Sequence, residues 1–240
     1  MSNLQTHIEN YLKYCEEQKR LDYKTLKAYK IDLSQFCQSI STNNLTDITS
    51  SMLENYISEL HQKYKPKTVK RKIACIKALF HYFEYREIID LNPFNKILIK
   101  FREPTNLPKI IPLNAVEEML STIYIYKAVA KTTYQKRNAL RDAATIELLF
   151  ATGMRISELC SLQVDDVNLE DGTILISGKG SKERRLQIGN IEVLNILKEY
   201  RLDFSKEIAN CGHFFANQSG HPLSDQTVRR IINKYTSLAS

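Results

Sequence analysis

Ser177–Arg185 reads "SGKGSKERR". Two glycines bracket Lys179, and Lys182, Arg184 and Arg185 follow within six positions, a loop suited to holding phosphate. The fold turns on which elements this loop connects. A nucleotide-binding loop must open a helix, whereas a loop that grips a nucleic-acid backbone can join two strands. A Walker-type loop has four residues between its glycine and Gly-Lys-Ser/Thr. Here Gly172 to Gly178 encloses five, Lys179 is followed by Gly180, and the next element is another strand. "TILIS" (Thr173–Ser177) and "RLQI" (Arg185–Ile188) have strand character, so a hairpin with a tip of about six to eight residues is predicted. Glycines on both sides let the backbone approach a duplex closely. A lysine at such a tip can give a proton to a departing oxygen if desolvation or neighbouring cations lower its pKa. Taken alone, the stretch is better read as a glycine turn decorated with solubilising charge.

Twenty-four residues upstream of Lys179 stands Arg155, within "LLFATGMRISEL" (Leu148–Leu159). Arg155 falls where one helix ends and another starts, with an apolar run behind it. A guanidinium fixed there can form two bonds to phosphoryl oxygens and offset charge that develops during phosphoryl transfer. Glu158, one turn on, is placed to orient that arginine or the lysine hairpin. The competing reading is a surface Arg–Glu pair worth about 0.2–0.5 kcal/mol.

Charge points the same way. The 240 residues carry a net charge of +7, and Leu60–Phe83 holds seven basic residues and no acidic one. Such a local excess is the footprint of a polyanionic partner, although a lysine-rich helix face can also be mere solvation. No run approaches the ~18 apolar residues of a membrane span, and "MSNLQTHIEN" lacks a secretory pattern, so a cytoplasmic protein with no membrane partner is expected. The five cysteines are scattered without a CxxC pair and are expected to be buried thiols rather than metal ligands.

Seven glycines and six prolines in the whole chain argue for a mostly helical fold. Four amphipathic helices are predicted in the first 99 residues. Their stripes are Ile8, Tyr11, Leu12, Cys15; Leu26, Tyr29, Leu33, Phe36, Ile40; Leu53, Tyr56, Ile57, Leu60; and Val69, Ile73, Ile76, Phe80, Phe83. Ser51 and Glu54 are expected to form a capping box on the third. Lys70, Arg71, Lys72 and Lys77 fall mostly off the fourth stripe, which gives a basic face to lay on a duplex. With Lys67 and Thr68 at that helix's start, Lys70, Arg71 and Lys72 form the predicted DNA-binding set of the first domain. "KFREPTNLPKIIPLN" holds three prolines, and 100–112 is assigned as a linker. A second domain, 113–240, opens with a helix capped by Asn114 and Glu117. It continues with helices over Asn138–Ala151, "ISELCSL", Asn190–Phe204 and Asp225–Leu238, the last capped by Ser224, around the hairpin. The expected class is mainly α with a small β-hairpin or sheet.

"ATGMRISEL…L…DDV…GKGSKER" closely resembles the first catalytic box and following β-hairpin of the tyrosine recombinases, the phage-integrase family of site-specific recombinases. "TLKAYKIDLSQF", "YKPKTVKRKIACIKALFHYF" with "NPF", and "LPKIIPLNAVEEML" are similar to the family's N-terminal pattern, last core-binding helix and entry to the catalytic domain. The resemblance implies a helical, SAM-like core-binding domain and a catalytic domain that clamp double-stranded DNA, with self-association on it. It implies recombination and integration through a 3′-phosphotyrosyl link, with no metal, nucleotide or other cofactor. By position, Arg155 is the first phosphate-clamping arginine, Lys179 the proton donor to the leaving 5′ oxygen, and Glu158 an acidic member of the site. Lys182 and Arg184 have no such role by position and are assigned as DNA-backbone contacts.

The family also has a His-x-x-Arg box, a further His or Trp, and a tyrosine nucleophile. His213 and His221 have no arginine three residues on, and Tyr235 lies on the apolar stripe of the last helix, where core packing is the better reading. The chain is therefore expected to be C-terminally incomplete and unable to cleave alone. The alternative is a non-catalytic DNA-binding module that occupies recombination sites. An RNA-binding protein is disfavoured, because no aromatic-bearing RNP pattern is present.

Overall fold

Lys65 ends one extended segment and Pro66 occupies the first turn of the next helix, where its missing N–H costs nothing. That helix, α4, comes after α1 (Leu4–Glu17), α2 (Tyr23–Ser39) and α3 (Ser50–Lys63), and spans Pro66–Tyr85. The computed structural model describes residues 4–42, 44–99, 110–178 and 182–239. Most of the expected linker, and Lys179 with its two following residues, lie outside the described residues. The chain forms two compact units, Met1–Leu107 and Pro108–Ser240. Mainly helical with a small sheet, it has the fold class expected.

In the first unit the α4 stripe is fully inside: Val69, Ile73, Ile76, Phe80 and Phe83 are all buried. Phe80 is the ring that joins the elements. Phe36 of α2, Phe83 and Phe94 stand edge-on to it at centroid separations of 6.1, 5.7 and 5.5 Å. Such edge-to-face contacts add to the transfer free energy of the buried rings. Helix α3 starts one residue earlier than the expected capping box: Thr49 is the cap, accepting from the Met52 N–H at 3.3 Å, and Ser51 lies inside the helix. The two candidate caps are hydroxyl residues two positions apart, which sequence alone does not separate.

One polar group penetrates this core. Asp32 of α2 is fully buried and receives Lys72 at 2.9 Å on one oxygen and Arg71 on the other, both from α4. Lys72 also donates to Gln35 and lies 4.8 Å from the centroid of the Tyr64 ring. At 3% exposure, Lys72 is an internal ion-pair partner and not the surface contact the sequence suggested. The basic run is continuous in sequence, but a helix turns 100° per residue, so its members cannot all share one face.

The second unit packs α5 (Leu113–Val129) and α8 (Ile191–Asp203) against α6 (Thr133–Thr152), with α10 (Asp225–Ala239) against α5. Helix α5 begins after Pro112, which places the expected cap Asn114 within its first turn. Helix α6 starts earlier than predicted, at a capping box in which Thr132 and Gln135 bond each other's backbone N–H at 3.2 and 3.3 Å. The expected Ser224 cap of α10 is present, accepting from Thr227 N at 3.2 Å. Tyr200 centres the aromatic core, with Phe204, Phe215 and Phe214 at 4.8, 5.3 and 5.9 Å, and its hydroxyl accepts from Ala216 N at 2.8 Å.

Between α7 (Ile156–Ser161) and α8 lies a three-stranded antiparallel sheet of β1 (Val167–Asn168), β2 (Thr173–Gly178) and β3 (Lys182–Gln187), in the order β1-β2-β3. Pairing of β2 with β3 runs from Thr173↔Gln187 to Gly178↔Lys182, so only 179–181 lie between the last paired residues, a shorter tip than expected. Helix α9 (Ser205–Cys211), ended by Gly212 in the left-handed region at φ 69°, was not anticipated. No helix among the described residues is long and apolar enough to cross a membrane.

Replacing Asp32 with Ala strands the Lys72 ammonium inside the first unit. The expected loss is about 3–5 kcal/mol of unfolding free energy in urea denaturation. A loss below about 1 kcal/mol would mean that Lys72 swings out to water.

Candidate active site and nucleic-acid interface

The local sequence explains where Arg155 sits. Helix α6 stops at Thr152 because Gly153 takes φ 61°, a left-handed conformation that a side chain would strain, and its N–H closes the last turn on Leu149 O at 2.9 Å. Met154 then plugs into the core, and Arg155, extended at φ −71° and ψ 148°, precedes the first residue of α7. The guanidinium emerges from this break with 75% of the side chain exposed.

Glu158 holds it there. One carboxylate oxygen accepts the Arg155 backbone N–H at 2.8 Å, and the other accepts Arg155 Nη1 at 2.8 Å. The same carboxylate receives Arg184 through two parallel bonds, Nη1 at 3.0 Å and Nη2 at 2.8 Å. Arg184 reaches it because β3 alternates. Residue 184 pairs with the buried Ile176 of β2 and shares its face with the half-buried Leu186, whereas Glu183 and Arg185 point the other way. Glu158 is itself only 6% exposed. The two Arg184 bonds, opposed by burial and aided by the Arg155 contacts, hold its carboxyl down to about 2. Arg184 is thus bonded to Glu158, a partner the sequence reading did not give it, while 42% of its side chain stays exposed.

Of the three expected catalytic residues, Arg155 and Glu158 meet directly. Lys179 lies outside the described residues. It is separated only by Gly180 and Ser181 from Lys182, the first residue of β3 and the partner of Gly178. The Arg184–Glu158 bond was not foreseen, since its partners are 26 residues apart and joined only by the sheet register. The pattern R-x-L, which puts a charged residue on the buried face of a strand, was the available signal.

Elsewhere in this unit, Tyr235 is fully buried and its hydroxyl donates to Asp142 Oδ2 at 3.1 Å. Burial and the neighbouring Asp142 push its pKa upward. Asp142 also takes Arg141 Nη2 at 2.6 Å. This is the core role expected for Tyr235. His213 bonds the Cys211 carbonyl oxygen through Nδ1 at 2.9 Å.

On α4 of the first unit, Lys67, Lys70 and Arg71 are exposed and Thr68 is half-buried. Arg71 is tethered by Asp32 while 45% of its side chain stays open. Lys72 leaves this set for the interior. The described surface face therefore comprises Lys67, Thr68, Lys70 and Arg71.

Residues 119–240 match the phage integrase family, and residues 8–87 match the phage integrase N-terminal SAM-like domain. A tyrosine recombinase of Agathobacter rectalis is 67% identical over 240 residues, which cover 100% of this chain and 78% of that protein. Tyrosine recombinase XerC of Thermodesulfovibrio yellowstonii is 31% identical over 248 residues, covering 98% of this chain and 76% of that one. Among solved structures, the XerH site-specific recombinase bound to palindromic difH substrate, in a post-cleavage complex, superposes with a TM-score of 0.67 at 26% identity, over 93% of this chain and 66% of its own. The chain belongs to the phage integrase family of tyrosine recombinases.

Proposed function

We propose that this chain binds duplex DNA in the cytoplasm and supplies part of the phosphate-binding machinery of site-specific recombination. The observation that carries the reading is the exposed Arg155 guanidinium, held at a helix break by a buried carboxylate that also anchors the hairpin strand. A guanidinium so fixed offers two N–H donors in one plane to the non-bridging oxygens of a phosphodiester. It also stabilises the extra negative charge of a five-coordinate phosphorus without having to reorganise. Lys179, assigned by its position in the hairpin, gives the proton that the departing 5′ oxygen needs. On the first unit, Lys67, Thr68, Lys70 and Arg71 grip the backbone and set the register of the duplex. Assembly of several copies on DNA belongs to the same reading.

Tyr235 is not assigned as the nucleophile. A buried hydroxyl that donates to a carboxylate and resists ionisation is poorly placed to attack phosphorus. This favours a second reading, in which the 240 residues occupy a recombination site without cutting it. A nicked suicide duplex separates the two. Binding without a covalent protein–DNA band is expected, and a band mapped to any tyrosine of these 240 residues would overturn that expectation.

The double replacement Lys67→Ala/Lys70→Ala should weaken duplex binding whatever the DNA sequence. It should also flatten the slope of log K against log salt by roughly 1 per lost phosphate contact. An unchanged slope would mean that this face of α4 meets solvent and not DNA. Lys72→Ala, by contrast, should act on thermal stability and leave the slope within about 0.3 of the parent's, since a buried ammonium releases no counterion.

A further inference from the structure

Arg184 and Arg155 share one carboxylate, and this sets the charge of the cluster. Two guanidiniums and one carboxylate leave a formal charge of +1 on the surface around Arg155, whose side chain is 75% exposed, against 42% for Arg184. Among the described residues, the charged groups bonded to Glu158 are Arg155, at the start of its own helix, and Arg184 of β3. With the Arg184 guanidinium removed, Glu158 would be left with Arg155 alone. Carboxylate and arginine would then close into a neutral pair, and Arg155 would turn toward the protein. The Arg155 guanidinium, already 2.8 Å from the carboxylate, is the described cation nearest to take up the vacated lone pairs.

We propose that Arg184 is a positioning residue that occupies Glu158 so that Arg155 keeps both its orientation and a net positive charge for a phosphodiester. The proposal rests on the reading that this face receives DNA phosphate. It also ties the two halves of the site together mechanically. Arg184 lies on β3, the strand that leads out of the 179–181 tip, and Glu158 lies in the first turn of α7. The bidentate bond therefore fixes the base of the lysine hairpin against the helix that carries the arginine.

Two rival roles exist for Arg184, a direct DNA contact and a charge that merely adds to the protein's field. Four variants of the 240-residue chain separate them, with duplex-DNA affinity at fixed salt and the Glu158 carboxyl titration by 13C NMR as readouts. Arg184→Gln is expected to weaken binding about tenfold and to raise the Glu158 titration midpoint toward the ordinary carboxylate range. Arg185→Gln removes the same charge one residue away on the opposite face, and should change affinity less than about twofold and leave the midpoint in place. Arg184→Lys keeps the charge but not the fork, and should fall between the parent and Arg184→Gln. Adding Glu158→Gln to Arg184→Gln restores the cluster's net charge but also removes the carboxylate that anchors Arg155, so affinity should recover in part.

If Arg184→Gln behaves like Arg185→Gln, or if Arg184→Lys matches the parent, the proposal is overturned. A double variant no tighter than Arg184→Gln would also overturn it, in favour of a direct contact. No duplex binding by the unmodified chain would overturn the DNA reading itself. A midpoint that stays low in Arg184→Gln would refute the fork even then.

Discussion

A single carboxylate, withdrawn from water and shared by two guanidiniums, is the constraint around which the second unit is arranged. Glu158 cannot be left unpaired at 6% exposure, so the elements that bring its partners are held to a narrow geometry. Helix α6 must end at a left-handed glycine, α7 must restart just beyond it, and β3 must pair with β2 in the register that turns residue 184 inward. Each is a backbone event. Together they deliver one exposed guanidinium to a defined point on the surface.

The first unit uses the same physics for a different end. Asp32, also buried, holds two cations from α4, one pulled wholly inside and the other left half open. The apolar stripe that packs around Phe80 sets which side of α4 faces inward, and Asp32 sets the rotation more finely, because it meets cations at two successive positions. A charge that must meet its counter-charges fixes that rotation, and with it the face presented by Lys67 and Lys70. Buried ion pairs add less to stability than to uniqueness where they act in this way.

Much of this was legible beforehand. Helical stripes such as Val69, Ile73, Ile76, Phe80 and Phe83 announce themselves by period, and the strands around the hairpin by composition and by the glycines that flank them. What failed were features that depend on a partner distant in the chain. Lys72 looks like its neighbours Lys70 and Arg71 until α2 presents Asp32 to it. Arg184 looks like a surface cation until the sheet register aims it at Glu158. Caps were misplaced by two residues at Ser51 and Asn114: Thr49 takes the first place, and Pro112 starts α5 without a side-chain cap. Arg155 and Glu158 lie three positions apart at one helix start, a spacing that also fits a surface pair, and the resemblance of the surrounding box singled them out.

The pairing of β2 with β3 carries a lesson about insertions and deletions. Strand side chains alternate strictly, so one added residue between Gly178 and Lys182 lengthens the tip and leaves every later residue facing as before. One added residue between Lys182 and Arg184 would invert the strand beyond it, swinging Arg184 outward and leaving Glu158 facing a different side chain. Drift in length across related sequences should therefore collect in the three tip positions. It should be absent from the short stretch of strand that links them to Arg184.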